Sequence, residues 1–192
     1  MIRSVFWRPL DEIGLEHLLL SVTARGIEAD GVILQTKAGR GPFRARYRIE
    51  AAPDWTMRRC EISVEEPGLI ARRLDLRVDA EARWREEASG QALSALAGCR
   101  EVDIQVSPFT NSLAIGRLTL AQGRSAEIRA AYITVPELTL APVAQRYTRL
   151  GSDRFRYEGL GTGFAADIAI DADGLVLDYP GVFQRVERPD VG

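Results

Sequence analysis

The segment Phe43-Arg44-Ala45-Arg46-Tyr47-Arg48-Ile49-Glu50 decides the fold class. Apolar side chains occupy every second position and charges fill the gaps. A period of two sends successive side chains to opposite faces of an extended chain, so this is a strand with one buried and one wet face. The pattern recurs in both directions. In the run 73–79, Leu74, Leu76 and Val78 point inward while Arg and Asp alternate outside. In 56–64 the inward residues are Cys60, Ile62 and Val64, and 164–171 again has one apolar face. The runs 128–135 and 138–147 are richer in apolar residues and are expected to lie more centrally. Strands with one polar face pair antiparallel, because parallel strands are usually covered on both sides.

Turn signals separate these runs. Asp30-Gly31, Ala38-Gly39-Arg40-Gly41, Pro67-Gly68, Gln122-Gly123, Gly151-Ser152, Gly161-Thr162-Gly163, Asp173-Gly174 and Pro180-Gly181 all read as turns. Asp173-Gly174, between Ala169-Ile170 and Leu175-Val176-Leu177, is the strongest hairpin signal. Strands spaced in this way form a sandwich, a barrel or a rolled sheet. Helical periodicity is scarce: 89–96 predicts a short helix and 109–118 a helical turn. No repeat or linker interrupts the chain, so 1–192 reads as a single all-β, mainly antiparallel domain with a loose tail at 187–192.

Composition excludes several functions. At 192 residues, 46% hydrophobic and 27% charged, the chain is long enough to build a core without disulfides or metals. A single His, His17, excludes a multi-histidine metal centre, and Cys60 and Cys99 lie too far apart for a zinc motif. No cofactor is expected. A formal net charge of −2 argues against a nucleic-acid partner. No apolar run approaches the roughly 20 residues of a membrane span, and the N-terminus lacks the apolar stretch of a signal peptide. The expected address is the cytoplasm, with both thiols reduced. The cations comprise 24 Arg and Lys37 alone. Guanidinium forks suit phosphates and carboxylates, but these Arg residues are dispersed. The bias therefore reads mainly as a property of the exterior.

Signatures of catalysis are sparse. There is no Gly-x-Ser-x-Gly elbow and no phosphate loop, and 159–163 is glycine-rich only as a link between strands. On an alternating strand Glu16 and His17 face opposite ways, so they cannot pair as acid and base. Cys99 has no base near it in sequence and reads as a packed thiol. Planar polar groups beside aromatics are more informative. They occur around Trp7, Trp55 and Trp84, in Ser107-Pro108-Phe109-Thr110-Asn111-Ser112, in Gln145-Arg146-Tyr147 and in Arg156-Tyr157. Flat aromatic faces with Asn, Gln and Arg nearby suit sugar rings and their hydroxyls.

The same segments carry a family likeness. Trp7-Arg8-Pro9-Leu10-Asp11, Asp54-Trp55-Thr56, Leu96-Ala97-Gly98-Cys99, Ser107-Pro108-Phe109-Thr110-Asn111-Ser112-Leu113, Gln145-Arg146-Tyr147 and Asp178-Tyr179-Pro180-Gly181 follow in order along nearly the whole chain. Together they resemble the bacterial glycolipid-binding family once designated a domain of unknown function, DUF1089. The resemblance implies a large curved antiparallel sheet rolled into a half-open barrel, compared in shape with bacterial lipoprotein carriers. It implies no catalytic residues. One departure is Ala114-Ile115-Gly116-Arg117, where members tend to carry Pro-Ile-Arg-Arg; the missing Arg weakens any paired-Arg clamp on an anionic head group.

The leading expectation is a non-enzymatic binder of a lipid-like or glycolipid amphiphile on the concave face of the roll. Trp7, Trp55, Asn111, Arg117, Gln145, Tyr147 and Tyr157 are the expected ligand contacts at its mouth. One alternative is an enzyme acting on a small amphiphile or sugar through a buried carboxylate such as Asp103 or Asp178. Another is an interaction module that uses a free sheet edge. The ligand and the oligomeric state are not legible in the sequence.

Overall fold

The computed structural model describes residues 1–186; the tail expected to be loose, 187–192, lies outside them. The first arm of the sheet runs β1 (Ile2–Pro9), β2 (Gly14–Thr23), β3 (Gly26–Lys37), β4 (Gly41–Ala51), β5 (Met57–Glu65), β6 (Arg72–Val78) and β7 (Trp84–Glu86). The second arm runs β8 (Glu101–Ile104), β9 (Ser125–Ile133), β10 (Leu140–Arg149), β11 (Arg154–Gly159), β12 (Phe164–Ile170), β13 (Val176–Tyr179) and β14 (Phe183–Val186). All fourteen strands form one sheet, in which β1 and β14 pair to join the arms and β7 and β8 are the outer strands. Pairing is antiparallel except between β8 and β9. The fold is therefore all-β and mainly antiparallel, an open roll.

Topology forces the curvature. β7 and β8 are consecutive in the chain but lie at opposite ends of the sheet order. A flat sheet would separate them by about 60 Å at about 4.8 Å per strand. The connection 87–100 reaches only about 50 Å fully extended. The sheet instead curls until β8 lies against β5. Trp84 Nε1–H donates to the Cys99 carbonyl at 2.8 Å and pins the connection down. The free edge of β7 is occupied by this connection: Leu93 N–H donates to the Trp84 carbonyl and Glu86 N–H to the Gln91 carbonyl, both at 2.9 Å. Covering an edge in this way removes a template for strand addition.

The deciding stretch forms β4, with Phe43, Ala45, Tyr47 and Ile49 buried and Arg44, Arg46 and Arg48 exposed. Outward Arg residues pair with acids on neighbouring strands, as in Arg46–Asp30 at 2.9 Å, Arg59–Asp75 at 2.7 Å and Arg156–Asp167 at 2.8 Å. The Arg bias is largely this exterior lattice.

Two local expectations are corrected. Asp30-Gly31 is not a turn but lies within β3. Gly31 sits opposite Tyr47 on β4, and a Cβ at 31 would stand 2.1 Å from the Tyr47 ring. This glycine makes room for an aromatic ring and does not bend the chain. The runs 128–135 and 138–147 are not central either, since β9 and β10 stand next to the β8 edge. The apolar start of β10, Pro142 and Val143, lines a hollow instead.

Among the described residues there is one α-helix, α1 (Phe109–Leu118), longer than the expected turn; a 3-10 turn forms at Ser94–Leu96. Residues 109–115 of α1 are all buried, as for a helix enclosed on every side. It plugs the roll. Phe109 and Leu113 pack into the core of the first arm, and Ala114 and Ile115 into that of the second.

Candidate ligand-binding site

The segment leading from β8 into α1 is flanked by two recessed carboxylates. On the first-arm side is Glu16, in phase with the inward residues Leu18 and Leu20 of β2 and only 2% exposed. The Tyr47 hydroxyl donates to Glu16 Oε1 at 2.5 Å and Ser107 Oγ at 2.7 Å, while Oε2 is buried without a partner. Burial raises its pKa to about 7, against the lowering effect of those two donors. His17 points outward, stacks on Phe6 at 4.3 Å and bonds Ser4 Oγ, so the two indeed lie on opposite faces.

On the second-arm side is Asp103 of β8. Gln145 Nε2 donates to Asp103 Oδ2 at 2.6 Å and the Thr110 hydroxyl to Oδ1 at 3.3 Å. Burial raises its pKa, and these donors only partly offset that. Asp103 opens onto a hollow of about 700 Å³ between the second arm and the start of α1. Polar groups converge where β8 meets α1: Asp103, Ser107, Asn111 and Gln145. Val143, Leu160, Val182 and Phe183 give the rest an apolar lining, and Tyr132, Tyr157, Phe164 and Tyr179 add rings. Burial first, and then the Asp103 charge, pushes the Tyr132 hydroxyl up to about 12. Burial, with smaller contributions that include Asp103, also raises Tyr157 and Tyr179. All three phenols are therefore neutral at ordinary pH.

The structure brings together only part of the expected contact set. Asn111, Gln145 and Tyr157 line the hollow. Tyr147 stands behind them, fully buried, and its hydroxyl donates to Asn111 Oδ1 at 2.9 Å. The other three lie apart from it. Trp7 is 0% exposed and belongs to the core of the first arm; its indole N–H donates to the Val176 carbonyl at 2.8 Å and Arg185 lies over its ring. Arg117 is paired with the buried Glu101. Trp55 packs on α1, where a Cβ at position 116 would stand 2.5 Å from its indole. That contact gives the Gly116 departure a physical reason: a larger residue there would displace Trp55.

Sequence reasoning weighed Glu16 only as a partner for His17, and it did not place Tyr132, Phe164 or Tyr179 in a site. The signal for Glu16 was present, since an acid occupies an inward position of an otherwise apolar alternation. Tyr132, Phe164 and Tyr179 had no local signal of a shared wall, because they come from three different strands. Of the two carboxylates considered for catalysis, Asp103 is in the hollow, whereas Asp178 is not among its lining residues. A second hollow of similar volume, more open to solvent, lies at the ends of β2–β5 near Ile13, Leu34 and Pro67. Its recessed carboxylate, Glu66, is already engaged by Arg72 and Arg40, whereas Asp103 has neutral donors, so the inner hollow is the better candidate. Cys60 and Cys99 are free and buried, and burial raises both thiols. Among the described residues no cluster of His, Cys, Asp and Glu has the makings of a metal centre, and no helix is long and apolar enough to cross a membrane.

Comparison with known proteins agrees with this fold. The model of a family described as "Putative glycolipid-binding" matches residues 4–185. The crystal structure of a DUF1089 family protein from Pseudomonas aeruginosa superposes with a TM-score of 0.81 at 38% identity, covering 89% of this chain and 92% of that one. No curated protein matches the chain.

Proposed function

The chain belongs to the family described as "Putative glycolipid-binding", and we propose that it is a non-enzymatic binder of a lipid-like or glycolipid amphiphile. The ligand lies in the inner hollow, with its alkyl part against Val143, Leu160, Val182 and Phe183. Its polar end meets Asp103, Asn111, Gln145 and Tyr157. One observation carries the reading: about 700 Å³ of space with an apolar lining and a few convergent polar groups, the usual composition of a small-molecule site. The family's description points the same way. Organic extracts of the purified protein, analysed by mass spectrometry, test it. A stoichiometric amphiphile supports the proposal; a protein that carries none and takes up no single-chain amphiphile added to it overturns it.

A second reading has one specific observation behind it. Asp103 is recessed, paired with no Arg among the described residues and raised in pKa, as a general acid would be. Recovery of the bound molecule chemically changed after incubation would favour that enzyme reading over a carrier.

A further inference from the structure

The wall of the hollow stands apart in a chain with 25 cationic residues. Among the described residues neither Lys37 nor any Arg lines it, and Asp103 is the one acidic residue that does. Several recessed carboxylates of this chain meet guanidinium groups, while Glu16, sealed away from the hollow, shares with Asp103 a set of neutral donors. Glu101 faces Arg117, Asp171 faces Arg3 and Arg185, and Asp75 faces Arg59. Among the described residues Asp103 receives only neutral donors, the Gln145 amide and the Thr110 hydroxyl. A recessed charge without a counter-charge is costly, and a bound cation would relieve that cost.

The rings next to it suit the same ligand. Tyr157, Phe164 and Tyr179 stand in a triangle, with centroids 6.2, 6.0 and 6.1 Å apart. Their mutual tilts of 48–66° turn ring faces in different directions along the wall. Aromatic faces attract cations through the ring quadrupole, more strongly when water is excluded. An anionic head group would meet the field of Asp103 with no Arg to hold it.

We infer that the polar end of the ligand is a cation of the amine or quaternary ammonium class, seated between the Asp103 carboxylate and the rings of Tyr157, Phe164 and Tyr179. This rests on the amphiphile-binding reading and specifies its head group.

Three probes with one alkyl chain test it: decyltrimethylammonium, decyl maltoside and decyl sulfate. Each is titrated by calorimetry below its micellar concentration, with near-ultraviolet circular dichroism confirming that the protein stays folded. The ammonium probe is expected to bind about 10-fold more tightly than the maltoside, with the sulfate weakest. In Asp103→Asn the ammonium-to-maltoside ratio should fall to about one. Phe164→Leu, at a position 42% exposed and so tolerant of change, should lower the same ratio about threefold. Maltoside or sulfate binding as tightly as the ammonium overturns the inference and leaves the amphiphile reading standing. So does a preference that survives both substitutions. Binding of none of the three overturns the amphiphile reading itself.

Discussion

The two arms of the sheet share their alternating pattern and differ in what that pattern encloses. In the first arm, Leu18, Ile33, Ile49 and Ile62 close on Phe109 and Leu113 of α1 until little space remains. In the second, Ala114 and Ile115 cover the region near Tyr147 and Phe155, but a hollow opens beside Asn111, in the first turn of α1. Each arm also holds a carboxylate bonded by neutral donors. Glu16 is sealed in and its Oε2 is orphaned; Asp103 opens onto the hollow. A period of two thus tells which face of a sheet is inside, while the helix laid against that face determines whether the inside is full.

Matched substitutions probe this contrast. Tyr47→Ala removes a ring that is 1% exposed and takes one donor from Glu16. It is expected to lower the free energy of unfolding by about 4 kcal/mol. Tyr157→Ala, on the wall of the hollow, should cost only about 1 kcal/mol. Urea denaturation measures both, and equal losses would break the comparison.

The pH dependence of Glu16 comes next. Its folded pKa of about 7 lies above the ordinary 4.5, so the folded chain holds the proton more tightly than the unfolded one. This contribution is fully present below pH 4.5 and is lost as pH rises through about 7. It amounts to on the order of 3 kcal/mol. Urea midpoints between pH 5 and 8 should fall with rising pH, and Glu16→Gln should flatten that slope. An unchanged slope in the variant would assign it to another group.

A smaller effect is expected at Arg117, which the sequence had marked as a ligand contact. Its partner Glu101 is 1% exposed whereas Arg117 keeps some contact with water. Arg117→Met should therefore cost about 2 kcal/mol, part of the penalty of a fully buried pair being relieved by solvent. The amphiphile probes should still bind. Loss of binding in a variant that remains folded would return Arg117 to the site.

The fold was legible because it is written in local alternation. β4, β5, β6 and β12 lie where the pattern puts them, as does the hairpin at Asp173-Gly174. Asp30-Gly31 misled because a glycine that clears space for Tyr47 on the next strand looks, in sequence, like one that turns the chain. The helix was underestimated because α1 is buried all round and lacks an amphipathic period. The site was legible only in part. Asn111, Gln145 and Tyr157 carried a local signal of polar groups beside aromatics, and they line the hollow. Trp7 and Arg117 carried the same signal, but their polar atoms are engaged by Val176 and Glu101. Nothing local to a residue reveals whether its hydrogen bonds are already made.

The central claim is that an alkyl chain enters the hollow of the second arm and not the packed core of the first. Methyl-resolved NMR with decyl maltoside tests it most directly. The account predicts saturable shifts and contacts to the alkyl chain at Val143, Leu160 and Val182, with Ile33, Ile49 and Ile62 unmoved. Alkyl contacts confined to Ile13 and Leu34 of the outer hollow, or shifts in neither arm, would contradict it.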